Sequence, residues 1–180
     1  MHLPIWLLGN VPTEVCDAAA REFELIPFKD AAMGISGENV THSYRDTSVR
    51  FAPTGHWFGG ILFEHAMKAN RECGWDYDIT HHEDTQYAEY GVNQHYNWHT
   101  DTFPLSGQPF ERKLTAVCLM NDPSEFEGGE FQMKLYSEYT APLSKGTVIA
   151  FPSFLEHRVT PVTSGKRNSA TIWLNGPRFR

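Results

Sequence analysis

The feature that most limits what this chain can fold into is a change of hydrophobic period after Cys73. Before it, two stretches read as helices. "PTEVCDAAAREFEL" (Pro12 to Leu25) has proline near its start, Glu14 and Asp17 in its early turns, and alanines after them. "TGHWFGGILFEHAMKANREC" (Thr54 to Cys73) sets Trp57, Phe58, Ile61, Leu62, Ala66 and Ala69 on one stripe, with Gly59-Gly60 weakening its first turns. Beyond Cys73 the period is two. "WDYDI" alternates Trp75, Tyr77 and Ile79 with aspartates, and "TQYAEYG" and "NQHYNWHTD" continue as short extended pieces. "KLTAVCLMND" (Lys113 to Asp122) is apolar enough to be a strand buried on both faces, and "PSEFEGGEF" turns at Gly128-Gly129 into "EFQMKLY". "KGTVIAFP", "HRVTPVT" and "NSATIWLN" follow, the last two expected to form a hairpin through Ser164 to Lys166.

Two helices followed by about eight short strands predict a mostly-β fold with flanking helices. Paired sheets leave few open edges, so the natural candidate is a jelly roll, a double-stranded β-helix of cupin-like form backed by the N-terminal helices. At 180 residues one domain is expected. Residues 1–84 would give helical and strand support, and 85–175 the jelly-roll core.

A net charge of −7 opposes non-specific binding to nucleic acid or to an anionic membrane, so neither partner is expected. Cys16, Cys73 and Cys118 are odd in number and form no C-x-x-C, which favours a reducing compartment over a disulfide framework. The apolar run Ile5 to Leu8 is too short for a signal core and no stretch approaches a membrane span, so a cytoplasmic location is expected.

The polar residues that call for chemistry lie in "YNWHTDTFPL" (Tyr96 to Leu105). On a strand His99 and Asp101 would project to one face, together with His95 and Asn97, while Trp98 packs behind and Pro104 helps end the strand. A polar face turned into a sandwich must be satisfied by something. His157 opens a later strand and would complete two imidazoles and one carboxylate, a set that suits non-haem Fe(II). A zinc hydrolase on the same ligands, or a metal-binding jelly roll serving as a sensor or binding module, are the alternatives. Arg167 separates them, because a permanently charged planar guanidinium is what a dicarboxylate co-substrate needs for a two-point clamp. His81-His82-Glu83-Asp84 reads as a solvated loop, since neighbouring strand residues face opposite ways. Trp173 shares the parity of Arg167 and is a candidate for the substrate mouth, with His95 a candidate at its rim.

Taken together, H-T-D at 99–101, His157 and Arg167 resemble the signature of the 2-oxoglutarate/Fe(II)-dependent dioxygenases, in particular the prolyl-4-hydroxylase-like branch with the PKHD-type hydroxylases. "YGVNQHYNWHTD", "LMNDPSEFEGGEF" and "KGTVIAFPSFLEHRVTPVTSGKR" resemble consecutive blocks of that branch, and "SYRDTSVRFAP" its segment before the second helix. The likeness runs from about Ser43 to Asn175. Asn93 stands where the branch usually has glycine, and Leu119 near where some members carry a tyrosine that holds the co-substrate.

The resemblance implies Fe(II) on His99, Asp101 and His157, with 2-oxoglutarate and O2 as co-substrates. It implies Arg167 on the far carboxylate, Ser169 beside it, and Tyr90 as a hydrogen-bond donor near the iron or co-substrate. The implied reaction hydroxylates a peptide, prolyl by branch similarity, or a small molecule, and releases succinate and CO2.

Overall fold

The structure, a computed structural model, describes residues 4–30, 43–103 and 107–178; Pro104 lies outside the described residues. β1 (Leu7–Asn10) and helix α1 (Thr13–Glu24) precede β2 (Lys29–Asp30), β3 (Arg45–Asp46), β4 (Ser48–Ala52) and helix α2 (Trp57–Glu72). The chain continues through β5 (His81–His82), β6 (Thr85–Tyr90), β7 (His95–His99) and the long β8 (Phe110–Leu119). A 3-10 turn at Pro123–Glu125 leads into β9 (Phe126–Gly128), β10 (Phe131–Lys134), β11 (Glu138–Thr140) and β12 (Thr147–Pro152). β13 (Glu156–Val159), β14 (Val162–Gly165) and β15 (Arg167–Pro177) complete it.

The strands make two principal antiparallel sheets, the jelly-roll arrangement expected. An eight-stranded sheet runs β1-β12-β8-β15-β6-β4-β2, with β5 also on β15. A five-stranded sheet runs β11-β10-β13-β7-β3, and β14 pairs with β9 alone.

Strict alternation on the central strands builds both cores at once. Leu114, Ala116 and Cys118 of β8, with Ala170, Ile172 and Leu174 of β15, turn outward against Phe58, Leu62 and Ala66 of α2. Their neighbours Thr115, Val117, Arg167, Ser169, Thr171 and Trp173 turn inward, toward the smaller sheet. The apolar run in β8 is therefore buried on both faces, as its composition requires. α1 adds Phe23, which stacks on Tyr87 at 5.0 Å and meets Phe58 edge-on. Burial of a side chain of that size stabilises by about 1.5–3 kcal/mol.

The glycine pair in α2 has a packing reason. A Cβ on Gly59 would lie 2.6 Å from Thr85 Oγ1, so glycine lets the helix settle on the start of β6. Trp57 departs from the predicted stripe: it is 41% exposed, and its indole N–H donates to Glu22.

Two expected elements differ. Trp75, Tyr77 and Ile79 pack against the helix-side core, but the segment forms no strand. Asp76 takes a positive φ of 51°, and the Asn70 side chain satisfies both the N–H and the carbonyl of Tyr77 in place of a ladder partner. The predicted hairpin through Ser164 to Lys166 is also absent. β13 pairs with β10 and β7 in the small sheet, whereas β15 pairs with β6 and β8 in the large one. The intervening β14 carries the chain across the sandwich, and Gly165 turns at φ 72° with no room for a Cβ beside the Glu125 carbonyl.

Candidate metal centre

The pairing of β13 with β7 sets His157 directly opposite His99, with ring centroids 4.2 Å apart. Asp101 lies just past the end of β7. Its N–H donates to the Ser153 carbonyl at 2.8 Å, which folds the carboxylate back toward both imidazoles. Oδ1 is 3.7 Å from His99 Nε2, and Oδ2 is 3.4 Å from His157 Nε2. The ligand atoms of the three side chains all lie within 4.8 Å of one another, the one such group among the described residues.

Backbone carbonyls fix the ring tautomers. His99 Nδ1 lies 2.7 Å from the Asn97 carbonyl, and His157 Nδ1 lies 2.9 Å from that of Leu155. A carbonyl oxygen only accepts, so each Nδ1 carries a proton and each Nε2 is the ring nitrogen turned toward the centre. Burial, then the neighbouring His157, push the His99 pKa down to about 3. Burial alone would raise Asp101, but His157, His99, Arg112 and a hydrogen bond from Thr115 hold it at about 2. Two imidazole Nε2 atoms and an ionised carboxylate thus converge on one point. The donor set of two imidazoles and a carboxylate fits Fe(II).

β7 does not alternate as predicted. Between His99 and Tyr96 it pairs with only His157 to Val159, so one extra residue bulges out. The bulge turns Tyr96 inward, where its ring stacks on His99 at 3.5 Å and 11°, and the Arg45 guanidinium lies 4.6 Å above the same ring. His95 is turned out of the cavity instead. Its ring nitrogens lie near the carbonyls of Asn93 and Ser43, which corrects its assignment to the substrate rim. Asn93 adopts φ 69°, the left-handed conformation that asparagine tolerates.

Arg167 reaches the cavity from the facing sheet. It is 1% exposed, its Nη1 donates to Ser169 Oγ at 3.1 Å, and its Nη2 has no hydrogen-bond partner. Burial pushes its pKa down, the direction expected of a cation held without a carboxylate. Tyr90 lies opposite Arg167 in the β6–β15 register, with its ring 5.6 Å from the guanidinium. Ser169 thus orients Arg167, and Leu119 pairs with Ser169 on β8. A buried, half-satisfied guanidinium facing a metal-ready triad is a receptor for an anion.

Trp173 also lines this cavity. It is 8% exposed and its indole N–H has no partner. Arg112 stacks 4.0 Å above its ring and is gripped through two contacts, 2.7 and 2.6 Å, by Glu83. The His81–Asp84 segment therefore gathers no metal cluster; its Glu83 anchors Arg112 and Asn175, and its Asp84 accepts from Thr54. Trp98 lies outside the cavity under Arg158, which bonds to Gln132.

Sequence reasoning missed Tyr96, Arg45, Arg112 and Thr115. Tyr96 was hidden by the bulge. Arg45 had a signal in the "SYRDTSVRFAP" block, and Thr115 in its inward parity with Val117.

The sequence pattern of the 2OG-Fe(II) oxygenase superfamily matches residues 85–175. A PKHD-type hydroxylase from Psychrobacter sp. (strain PRwf-1) is 34% identical over 93 residues, 49% of this chain and 36% of the relative. One from Picosynechococcus sp. (strain ATCC 27264 / PCC 7002 / PR-6) is 37% identical over 89 residues, 49% of this chain and 40% of the relative. The matched part thus spans only about two fifths of these relatives' length. Among solved structures, a Pseudomonas putida prolyl-4-hydroxylase superposes with a TM-score of 0.73 at 19% identity, covering 96% of this chain and 93% of that one. A Trichoplax adhaerens prolyl hydroxylase in complex with a hypoxia inducible factor peptide fragment gives 0.73 at 14% identity, covering 94% and 83%. These two likenesses establish the fold, and the match over 85–175 establishes the family: the chain belongs to the 2OG-Fe(II) oxygenase superfamily.

Proposed function

We propose that this chain is an Fe(II)- and 2-oxoglutarate-dependent dioxygenase that hydroxylates a peptide or small-molecule substrate. The observation that carries the reading is the pairing of a convergent His99–Asp101–His157 triad with a buried, half-satisfied Arg167 in one cavity. A zinc hydrolase or a simple metal-binding module has no use for such a cation. Bound iron, with 2-oxoglutarate and O2, supplies the oxidising chemistry: one oxygen atom goes to the substrate C–H, the other to succinate, and CO2 leaves.

The protein's part is position, charge and exclusion of water. His99, Asp101 and His157 hold the metal without first losing a proton at neutral pH from His99 or Asp101. Arg167, oriented by Ser169, grips the far carboxylate of the co-substrate and fixes its direction toward the metal. It keeps its proton, so it clamps rather than acts as a base. Tyr90, Val117, Phe131 and Val159 wall the co-substrate from solvent.

On the substrate side, the unpaired Trp173 indole N–H offers a donor to a carbonyl, and Arg112 adds a positive edge held in place by Glu83. A main-chain carbonyl of a peptide satisfies that donor, which favours a peptide substrate. The named PKHD-type and prolyl hydroxylase relatives make a prolyl side chain the first target to try. The free, buried cysteines accord with a reducing, cytoplasmic setting.

The test is oxygen-dependent succinate formation from 2-oxoglutarate by the Fe(II)-loaded protein, with a mass-spectrometric search for products gaining one oxygen from a proline-containing peptide library. His99→Ala should abolish the succinate. Turnover that persists without O2 would sink the dioxygenase reading.

A further inference from the structure

Asp101 is held by more than its own backbone. Thr115 Oγ1 donates to Asp101 Oδ2 at 2.8 Å, since a carboxylate can only accept. The Thr115 hydroxyl has one proton, so the 2.9 Å contact between Thr115 Oγ1 and Ser153 Oγ must be made by the Ser153 proton. The direction of the chain is therefore fixed: Ser153 donates to Thr115, and Thr115 donates to Asp101. Thr115 and Ser153 are both 0% exposed, so no water competes for either bond.

The backbone repeats the same ties. The Ser153 carbonyl accepts from the Asp101 N–H, and the Ser153 N–H donates to the Lys113 carbonyl, both within 2.9 Å. Thr115 sits on β8 of the large sheet, whereas the ligands His99 and His157 sit on the small one. Ser153 follows directly on β12. Two hydroxyls thus reference the one anionic ligand to the large sheet, the sheet that also carries Arg167.

We propose that Ser153 and Thr115 form a directed hydroxyl relay that positions Asp101, occupying Oδ2 and leaving Oδ1 with its lone pairs for a divalent cation. They are positioning residues, acting on the metal through Asp101. The relay has a second consequence. A hydroxyl proton aimed at Oδ2 would disfavour binding of a cation through both carboxylate oxygens. The inference rests on the metal-centre reading above and goes beyond it by saying what fixes the carboxylate.

Two substitutions of Thr115 divide hydrogen bonding from packing. Thr115→Val keeps the shape and loses the hydroxyl; Thr115→Ser keeps the hydroxyl and loses the methyl. Anaerobic Mn(II) titrations, followed by the loss of the free-ion electron paramagnetic signal, read the affinity without any turnover. Removing an outer hydrogen-bond partner of a metal ligand typically weakens binding by about 10–100-fold, and T115V should fall in that range. T115S should bind within a few-fold of the parent, and S153A should fall between the parent and T115V, because Thr115 still donates there but is no longer oriented by Ser153. The Co(II) electronic spectrum should change in T115V and be restored in T115S. A T115V protein that binds Mn(II) like the parent overturns the relay, as does a T115S protein that binds as poorly as T115V. Should T115V fail to fold, T115S decides: near-parental Mn(II) affinity and Co(II) spectrum uphold the relay, and loss of either overturns it. A parent protein that takes up no Mn(II) overturns the metal-centre reading itself, a result distinct from a metal-binding parent with an indifferent T115V.

Discussion

His157 and Arg167, ten positions apart in the chain, face one cavity from opposite sheets: His157 from β13 in the small sheet, Arg167 from β15 in the large one. A molecule that spans from the metal to the guanidinium therefore bridges the sandwich. The distance between the sheets, set by Val117, Phe131, Phe151 and Val159 of the inner core, decides the length of dicarboxylate that fits. It follows that metal and 2-oxoglutarate should stabilise the fold together.

Arg167 is a buried cation with an unpaired Nη2, and in the ligand-free protein it lacks the anion that would compensate it. Replacing such a group by an apolar one of similar length removes a desolvation cost of about 1–3 kcal/mol. Arg167→Met should raise the stability of the metal-free, co-substrate-free protein by about that amount in urea denaturation. An unchanged or lower stability would show that the guanidinium is already satisfied.

Gly129 sits at φ 59°, and a Cβ there would lie 2.9 Å from Arg167 Cδ and 3.0 Å from Val162 Cγ2. Gly129→Ala should cost about 1–2 kcal/mol from the left-handed backbone alone. It should also displace the Arg167 side chain, weakening 2-oxoglutarate binding while Mn(II) binding to the other sheet's ligands stays parental. Equal affinities for 2-oxoglutarate in G129A and parent would contradict the packing argument.

The inward residues of β15 follow one uninterrupted alternation, so Arg167, Ser169 and Trp173 could be set on one face from the sequence alone. The triad could be assembled only because its three residue types recur at recognisable spacing; no periodicity links His99 to His157. His95 failed because a bulge is a pairing event between two strands, and one strand's alternation carries no trace of its partner's count. The false hairpin failed for a related reason. Turn residues at Ser164 to Lys166 fix a reversal of direction but not the sheet in which the next strand pairs. Arg112 and Glu83 meet through strands far apart in sequence, and no local signal joins them.

The metal-free protein should lose stability on acidification. In the folded protein His99 is held neutral to about pH 3, whereas its ordinary value is 6.5. Between those limits the unfolded chain binds a proton that the folded one refuses, so this contribution is complete above 6.5 and falls as pH drops toward 3. Asp101, depressed to about 2 from 3.8, adds a loss in the same direction below 3.8. Urea midpoints of the metal-free parent should fall from pH 7 to pH 4 more steeply than those of His99→Gln, which has nothing to titrate at that position. Parallel slopes would contradict the account of His99.

The central claim is that one cavity holds a metal at His99, Asp101 and His157 and a dicarboxylate at Arg167. Anaerobic calorimetry of 2-oxoglutarate into the Mn(II)-loaded protein tests it most directly. The parent should bind, and Arg167→Ala should lose about 2–5 kcal/mol of 2-oxoglutarate affinity with its Mn(II) affinity intact. A metal-loaded parent that takes up no 2-oxoglutarate, or an Arg167→Ala protein that loses metal and co-substrate alike, would contradict it.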